Sequence, residues 1–101
     1  MIKHIVMWKL EEFAEGADKK ENALRVKRLL EGLKDKIKEI RFIEIGININ
    51  DTPVAYDIVL YSEFNSLEDL DAYQNHPEHL IAGEFIGKVR KDRRVVDYEV
   101  P

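Results

Sequence analysis

An α+β fold is predicted by three observations on this 101-residue chain. Strand-like and helix-like patterns follow one another in the order β-α-β-β-α-β. The strands expected at Ile2–Leu10 and Tyr56–Phe64 carry apolar side chains on both faces, as strands covered on two sides do. The helical segments are enough to cover only one face of a four-stranded sheet. Together these predict a ferredoxin-like protomer, a split βαβ arrangement whose antiparallel sheet has the first and third strands in its middle. The uncovered face then needs a partner. A second copy packed sheet against sheet is the simplest solution.

In Ile2–Leu10, Ile2, His4, Val6, Trp8 and Leu10 share one face, and Ile5 and Met7 share the other with Lys3 and Lys9. Residues 11–16 read as a polar connection. Asp18 followed by Glu21 has the form of a capping box, and Ala23, Val26, Leu30, Leu33 and Ile37 then recur at helical spacing, widened by Leu29. Gly32 costs such a helix roughly 1 kcal/mol against alanine, which predicts close backbone packing there. Lys34, Lys36 and Lys38 fall in the expected last turns, where cations suit the helix dipole.

The second strand is predicted from Ile40 to Asn48, with Ile43, Ile45 and Ile47 opposite Phe42 and Glu44. A turn cluster, Asn50-Asp51-Thr52-Pro53, leads to the third strand. There Tyr56, Ile58, Leu60 and Phe64 oppose Val59 and Tyr61. Ser66 with Asp69 caps a helix bearing Leu67, Leu70 and Tyr73. Pro77 suits the first position of a helix and disfavours α geometry at His76, so this second helix breaks in two at His76-Pro77. Its continuation carries Ile81, Phe85 and Val89 at four-residue spacing, with Gly83 and Gly87 allowing a close neighbour. The closing strand is predicted from Arg94 to Val100, with Val96, Tyr98 and Val100 opposite Val95, Asp97 and Glu99.

Composition excludes several functions. A net charge of -4 argues against binding nucleic acid by general electrostatics, and gives no reason to adsorb on anionic membranes. The absence of cysteine removes disulfides, a thiol nucleophile and thiolate metal sites, and a reducing cytoplasm is the expected compartment. No apolar run reaches the length of a membrane span, and Met1 leads directly into a strand pattern without a signal peptide.

The chemistry concentrates in Ala72-Tyr73-Gln74-Asn75-His76-Pro77-Glu78-His79. His79 lies in the first turn of the helix after Pro77, where free backbone N–H groups favour a neutral imidazole able to accept a proton near pH 7. As general base it would remove a proton beside a carbonyl, with Tyr73 holding the developing oxyanion. The opposing reading has His79 bonded to the preceding helix end and Tyr73 packed in the core. His4 is either a polar group of a pocket or a core histidine satisfied by one hydrogen bond. His76 is expected at the helix junction. Trp8 lines a ligand cavity or serves as an ordinary core aromatic. His76 and His79 have i,i+3 spacing, but the cap conformation of His76 turns it away and no carboxylate completes a ligand set, so no metal is expected. The basic run Lys88, Arg90, Lys91, Arg93 and Arg94 reads as an answer to a helix C-terminus.

Three stretches in this order resemble the stress-responsive dimeric α+β barrel family, Dabb. They are Ile2-Lys3-His4-Ile5-Val6, Ala72-Tyr73-x-x-His76-Pro77-x-His79 and Val95-Val96-Asp97-Tyr98. The likeness spans residues 1–101 as one Dabb domain and implies a homodimer. It implies no single activity, since many members have no assigned reaction. A plant member, olivetolic acid cyclase, closes a tetraketide thioester by an intramolecular aldol reaction without a cofactor. Its catalytic tyrosine and histidine match Tyr73 and His79, a pocket histidine on its first strand matches His4, and the first histidine of its motif matches His76. Where that enzyme places another pocket tyrosine, this chain has Val26, Lys27 and Arg28, which implies a different pocket.

The expectation is therefore a Dabb homodimer that binds a small, partly apolar molecule in a cavity between sheet and helices. Tyr73 and His79 are its candidate catalytic pair, and His4, Trp8 and His76 its candidate ligand-binding residues. No cofactor, nucleic acid or membrane is expected as a partner. One alternative is a cofactor-independent acid–base enzyme acting on a carbonyl or polyketide-like compound. The other is a structural or partner-binding dimer without a ligand.

Overall fold

The first strand, β1 (Ile2–Leu10), forms over the residues its alternation predicts. The computed structural model describes residues 1–101. A short hairpin follows, β2 (Phe13–Ala14) and β3 (Ala17–Asp18), in the stretch that reads only as a polar connection. Its turn residues Glu15 and Gly16 have φ of 47° and 75°. Positive φ at both positions gives the two-residue turn whose twist matches its flanking strands. The buried side chain of Asn22 ties this hairpin down, donating to the Ala14 and Ala17 carbonyls at 2.9 and 3.3 Å.

Helix α1 (Lys19–Glu31) begins at Asp18, whose carboxylate accepts the Glu21 N–H at 2.9 Å. Such a cap contributes about 1 kcal/mol. Ala23, Val26, Leu30, Leu33 and Ile37 are all buried, as their spacing predicts. Three expectations fail here. The α-helix ends at Glu31 and tightens into a 3-10 turn over Gly32–Asp35. Lys34, Lys36 and Lys38 therefore lie beyond its last turn, where Arg28 is the basic residue. Gly32 serves no close packing, since nothing lies within 4 Å of where its Cβ would stand. Leu29 faces outward rather than widening the stripe.

Strand β4 (Phe42–Ile47) is shorter than predicted and buries Ile45, with Ile43 half-buried and Ile47 exposed at its end. Strand β5 (Ile58–Phe64) buries Ile58, Leu60, Ser62 and Phe64. Tyr56 does not share that face. Asp57 interrupts the alternation by donating its N–H to the Trp8 carbonyl at 2.8 Å and accepting the Leu10 N–H at 2.7 Å. The Tyr56 hydroxyl instead donates to Asp92 at 2.5 Å.

Helix α2 (Leu67–Asn75) starts at Ser66, whose hydroxyl accepts the Asp69 N–H at 3.1 Å. It buries Leu70 and Tyr73 and leaves Leu67 exposed. His76, at φ -66° and ψ 137°, ends it and begins α3 (Pro77–Val89), the predicted break. The buried stripe of α3 is Ala82, Ile86 and Val89, whereas Ile81 is exposed and Phe85 half-buried. Leu80, Ile81, Ala82, Phe85 and Ile86 offer two adjacent apolar stripes, and packing selects the one with the small Ala82. Gly83 and Gly87 meet no close neighbour.

The last strand, β6 (Arg90–Glu99), follows α3 directly and begins at Arg90 rather than Arg94. The sheet has the order β4-β5-β1-β6 and is antiparallel throughout. The two strands with apolar residues on both faces occupy its middle, as predicted. One face joins the helices in the core, through Val6 and Trp8 of β1 and Leu60 and Phe64 of β5. The register puts Ile5, Met7, Val59, Tyr61, Val96 and Tyr98 on the other face, which no helix covers.

Candidate functional site

Four elements meet around a cavity of about 140 Å³ between sheet and helices. Strand β1 brings His4, Val6 and Trp8 to it; α2 brings Tyr73; α3 brings His79, Gly83 and Ile86; β6 brings Arg90 and Arg93. Leu30 of α1 and Leu60 of β5 complete the apolar wall.

His4 is almost wholly buried and is held by Asp97, whose carboxylate pairs with its Nδ1. The pairing follows from register, because His4 and Asp97 stand opposite each other in the β1–β6 ladder. The rings of Phe64 and Tyr73 both pack edge-on to the imidazole, at centroid distances of 6.4 and 6.2 Å. His4 is thus both a satisfied core histidine and a wall of the cavity.

Tyr73 packs on Phe64 at 4.9 Å and on His79 at 4.6 Å between ring centroids. Burial pushes its phenol well above the ordinary range, with the Arg93 charge pulling weakly back. It therefore stays protonated near neutrality and can only donate. Its hydroxyl makes no hydrogen bond within the chain yet is not sealed in, so it is available to a molecule in the cavity.

His79 sits in the first turn of α3 because Pro77 starts that helix. Burial lowers its pKa; the backbone of Gln74 opposes this, and the charges of His4, Arg93 and His76 reinforce it. The ring is consequently neutral at pH 7. Its Nδ1 is sealed from solvent without a partner at hydrogen-bonding geometry, which leaves Nε2 as the nitrogen a ligand can reach.

His4, Trp8, Tyr73 and His79 thus line one cavity. His76 is not part of the wall: its Nδ1 accepts the Glu78 N–H at 3.1 Å and so caps α3. Three charged residues of the site escape sequence reasoning. Asp97 stands in the stretch Val95-Val96-Asp97-Tyr98 on the closing strand, but its role becomes visible only once the register to His4 is known. Arg90 and Arg93 are hidden in a basic run that reads as a helix end. In fact Lys88 alone lies in the last turn of α3; Arg90 begins β6, and Arg94 pairs with Asp92 at 2.8 Å. No three histidine, aspartate or glutamate side chains converge as a ligand set. Chemically, the cavity offers a proton acceptor, a proton donor and two cations beside an apolar wall.

No helix is long and apolar enough to cross a membrane. The chain is 32% identical over 99 residues to an uncharacterised protein of Streptomyces coelicolor, spanning 98% of this chain and 99% of that one. A dimeric protein of unknown function with a ferredoxin-like fold from Bacteroides fragilis is 40% identical, with a TM-score of 0.81 over 98% of this chain and 95% of its own. A hydroxynitrile lyase from Passiflora edulis shares the fold at a TM-score of 0.79 over 99% of this chain and 93% of its own, but only 17% of the sequence. The model of the stress responsive A/B barrel domain, Dabb, matches residues 2–100. With its ferredoxin-like sheet, the broken second helix and Tyr73 packed on His79, the chain belongs to the Dabb family.

Proposed function

We propose that the chain works as a homodimer whose cavity takes up a small, partly apolar molecule. The observation that carries this is the convergence of polar atoms without partners, Tyr73 Oη and His79 Nε2, on a cavity otherwise walled by Val6, Trp8, Leu30, Leu60 and Ile86. Both atoms are open to the cavity and neither bonds within the chain, which suits a ligand that bonds to them. The dimer is supported by the uncovered apolar sheet face and by the dimeric Bacteroides fragilis relative. The cysteine-free chain suits a reducing cytoplasm. Native mass spectrometry of the dimer from its own host, followed by denaturing extraction, should release a small molecule in stoichiometric amount. A folded dimer that releases nothing, and in which His79→Ala and Tyr73→Phe change stability alone, would sink this reading.

A second reading is favoured by one specific geometry: a neutral imidazole packed at 4.6 Å, its plane tilted by 59°, against a phenol that remains protonated. In this reading His79 Nε2 takes the proton from a carbon beside a carbonyl. The C–H electron pair becomes the C=C bond of an enolate as the carbonyl π pair moves onto oxygen, and the Tyr73 hydroxyl donates a hydrogen bond to that oxygen. No cofactor is consumed, because the same proton returns to the product or to water. Deuterium uptake from D2O at the α-carbons of a small ketone such as cyclohexanone tests it by NMR. Uptake at the buffer rate, unchanged in His79→Ala, counts against it.

A further inference from the structure

We infer that the molecule taken up by this cavity is an anion, specifically a small carboxylate whose head group lies at Arg93 and Arg90. The inference rests on the cavity-binding reading above and narrows it. Arg90 and Arg93 border the cavity, and neither side chain makes a hydrogen bond or an ion pair with the rest of the chain. The contrast with their neighbour is informative. Arg94, on the opposite face of β6, is neutralised by Asp92 at 2.8 Å. No aspartate or glutamate lines the cavity, and the one nearby, Asp97, is already engaged by His4. The cavity thus has two uncompensated guanidinium groups on exposed residues at its rim, beside two imidazoles and an apolar wall.

The register explains how Arg93 reaches this position. It stands opposite Trp8 in the β1–β6 ladder, so its side chain rises on the helix-covered face. The charge of Arg93 reaches both Tyr73 and His79, lowering the proton affinity of each. A guanidinium presents a planar fork of N–H donors that matches the two oxygens of a carboxylate. The size of the apolar part follows from the volume: about 140 Å³ is close to the roughly 150 Å³ of a cavity known to hold one benzene ring. The class is therefore a monocarboxylate with a single ring or a short branched chain. Its body lies against Val6, Trp8 and Leu60, and its head group points towards β6.

Matched probes separate this inference from the reading beneath it. Benzoate and cyclohexanecarboxylate are titrated against their neutral amides, benzamide and cyclohexanecarboxamide, using the wild-type dimer and Arg93→Gln. The acids should bind wild type about tenfold or more tighter than the amides, and Arg93→Gln should erase most of that preference while amide binding stays as it was. Arg93→Lys, which keeps the charge and loses the fork, should fall between. A separate readout comes from the His79 ring protons in NMR: bound carboxylate should raise their titration midpoint, since a nearby anion favours the imidazolium, and bound amide should not. Thermal melting verifies that the variants remain folded. Equal binding of acid and amide, or a preference untouched by Arg93→Gln, overturns the anion inference and leaves the cavity reading standing. Failure of all four probes to bind the folded dimer overturns both.

Discussion

The two faces of the sheet are built from the same strands and differ in how their polar groups are used. On the covered face of β1, Ile2, Val6, Trp8 and Leu10 are buried with one polar exception, His4, which Asp97 holds. Across the strand, Lys3 joins Tyr61 and Glu63 in a closed network: Lys3 donates to both, at 3.1 Å to Glu63, and Tyr61 donates to Glu63 at 2.6 Å. Around it lie Met7, Phe42, Val96 and Tyr98, each more than a third exposed. A face meant only for water needs no such apolar set. A face meant for a partner benefits from polar groups that are already paired, because paired groups cost less to bury. The covered face does the reverse at one spot, leaving Tyr73 and His79 unpaired. One face has its polar groups paired; the other borders a cavity onto which two unpaired groups open.

The strongest test of the covered face is Phe64→Ala. Phe64 is fully buried and packs against both His4 and Tyr73. Its truncation should cost about 3–5 kcal/mol in urea unfolding, with loss of any ligand binding. On the open face Val96, on the edge strand β6 opposite Ile5, is half exposed in the protomer. Val96→Asp should leave the protomer fold intact by circular dichroism while weakening association by about 2 kcal/mol or more. Sedimentation equilibrium at low micromolar concentration reads this directly. A wild-type monomer there, or a Val96→Asp protein that associates as wild type does, would remove the distinction between the faces.

These faces are legible in the sequence to different depths. Strand β1 can be read to the residue, because Ile2, Val6, Trp8 and Leu10 hold one face over nine positions while Lys3 and Lys9 mark the other. The break at His76-Pro77 is equally plain, since proline constrains both residues locally. The α3 stripe expected at Ile81 and Phe85 is the wrong one because Leu80, Ile81, Ala82, Phe85 and Ile86 satisfy helical spacing in two ways, and only contact with the rest of the fold chooses. The site is legible where its residues share a motif, as Tyr73 and His79 do. It is not where the contact depends on strand register across the chain: the His4–Asp97 pair spans 93 positions. Arg93 escapes for a related reason, since the alternation that marks its strand begins one residue after it.

The faces should also respond to acid in separate windows. His79 has a folded pKa below the usual 6.5, so between those two values the unfolded chain binds more protons. Its contribution to stability is complete above pH 6.5 and is lost as pH falls through the lowered folded value. Glu63 is likewise lowered, from 4.5, first by its bond from Tyr61 and then by that from Lys3. Its contribution is complete above 4.5 and is lost only in stronger acid. Urea midpoints measured down a pH series should therefore show a first decline that His79→Gln removes, and a second that Glu63→Gln removes. A first decline unchanged in His79→Gln would mean that some other group is responsible.

The smallest stability effect carries the sharpest distinction. Tyr73 is among the most buried side chains, so removing its ring would resemble Phe64→Ala and say little about function. Tyr73→Phe removes only the hydroxyl, and that hydroxyl bonds to nothing in the chain. No partner is left unsatisfied and no packing is lost, so unfolding free energy should change by under about 0.5 kcal/mol. If the hydroxyl serves a bound molecule, the same change should weaken carboxylate binding or abolish deuterium exchange at full stability. On the open face the equivalent change, Tyr61→Phe, removes the donor to Glu63 and opens the Lys3 network. It should leave the ligand untouched and act on association and acid stability instead. If Tyr73→Phe loses stability as the removal of a paired hydroxyl does, with ligand affinity unchanged, Tyr73 is a core tyrosine rather than a waiting donor.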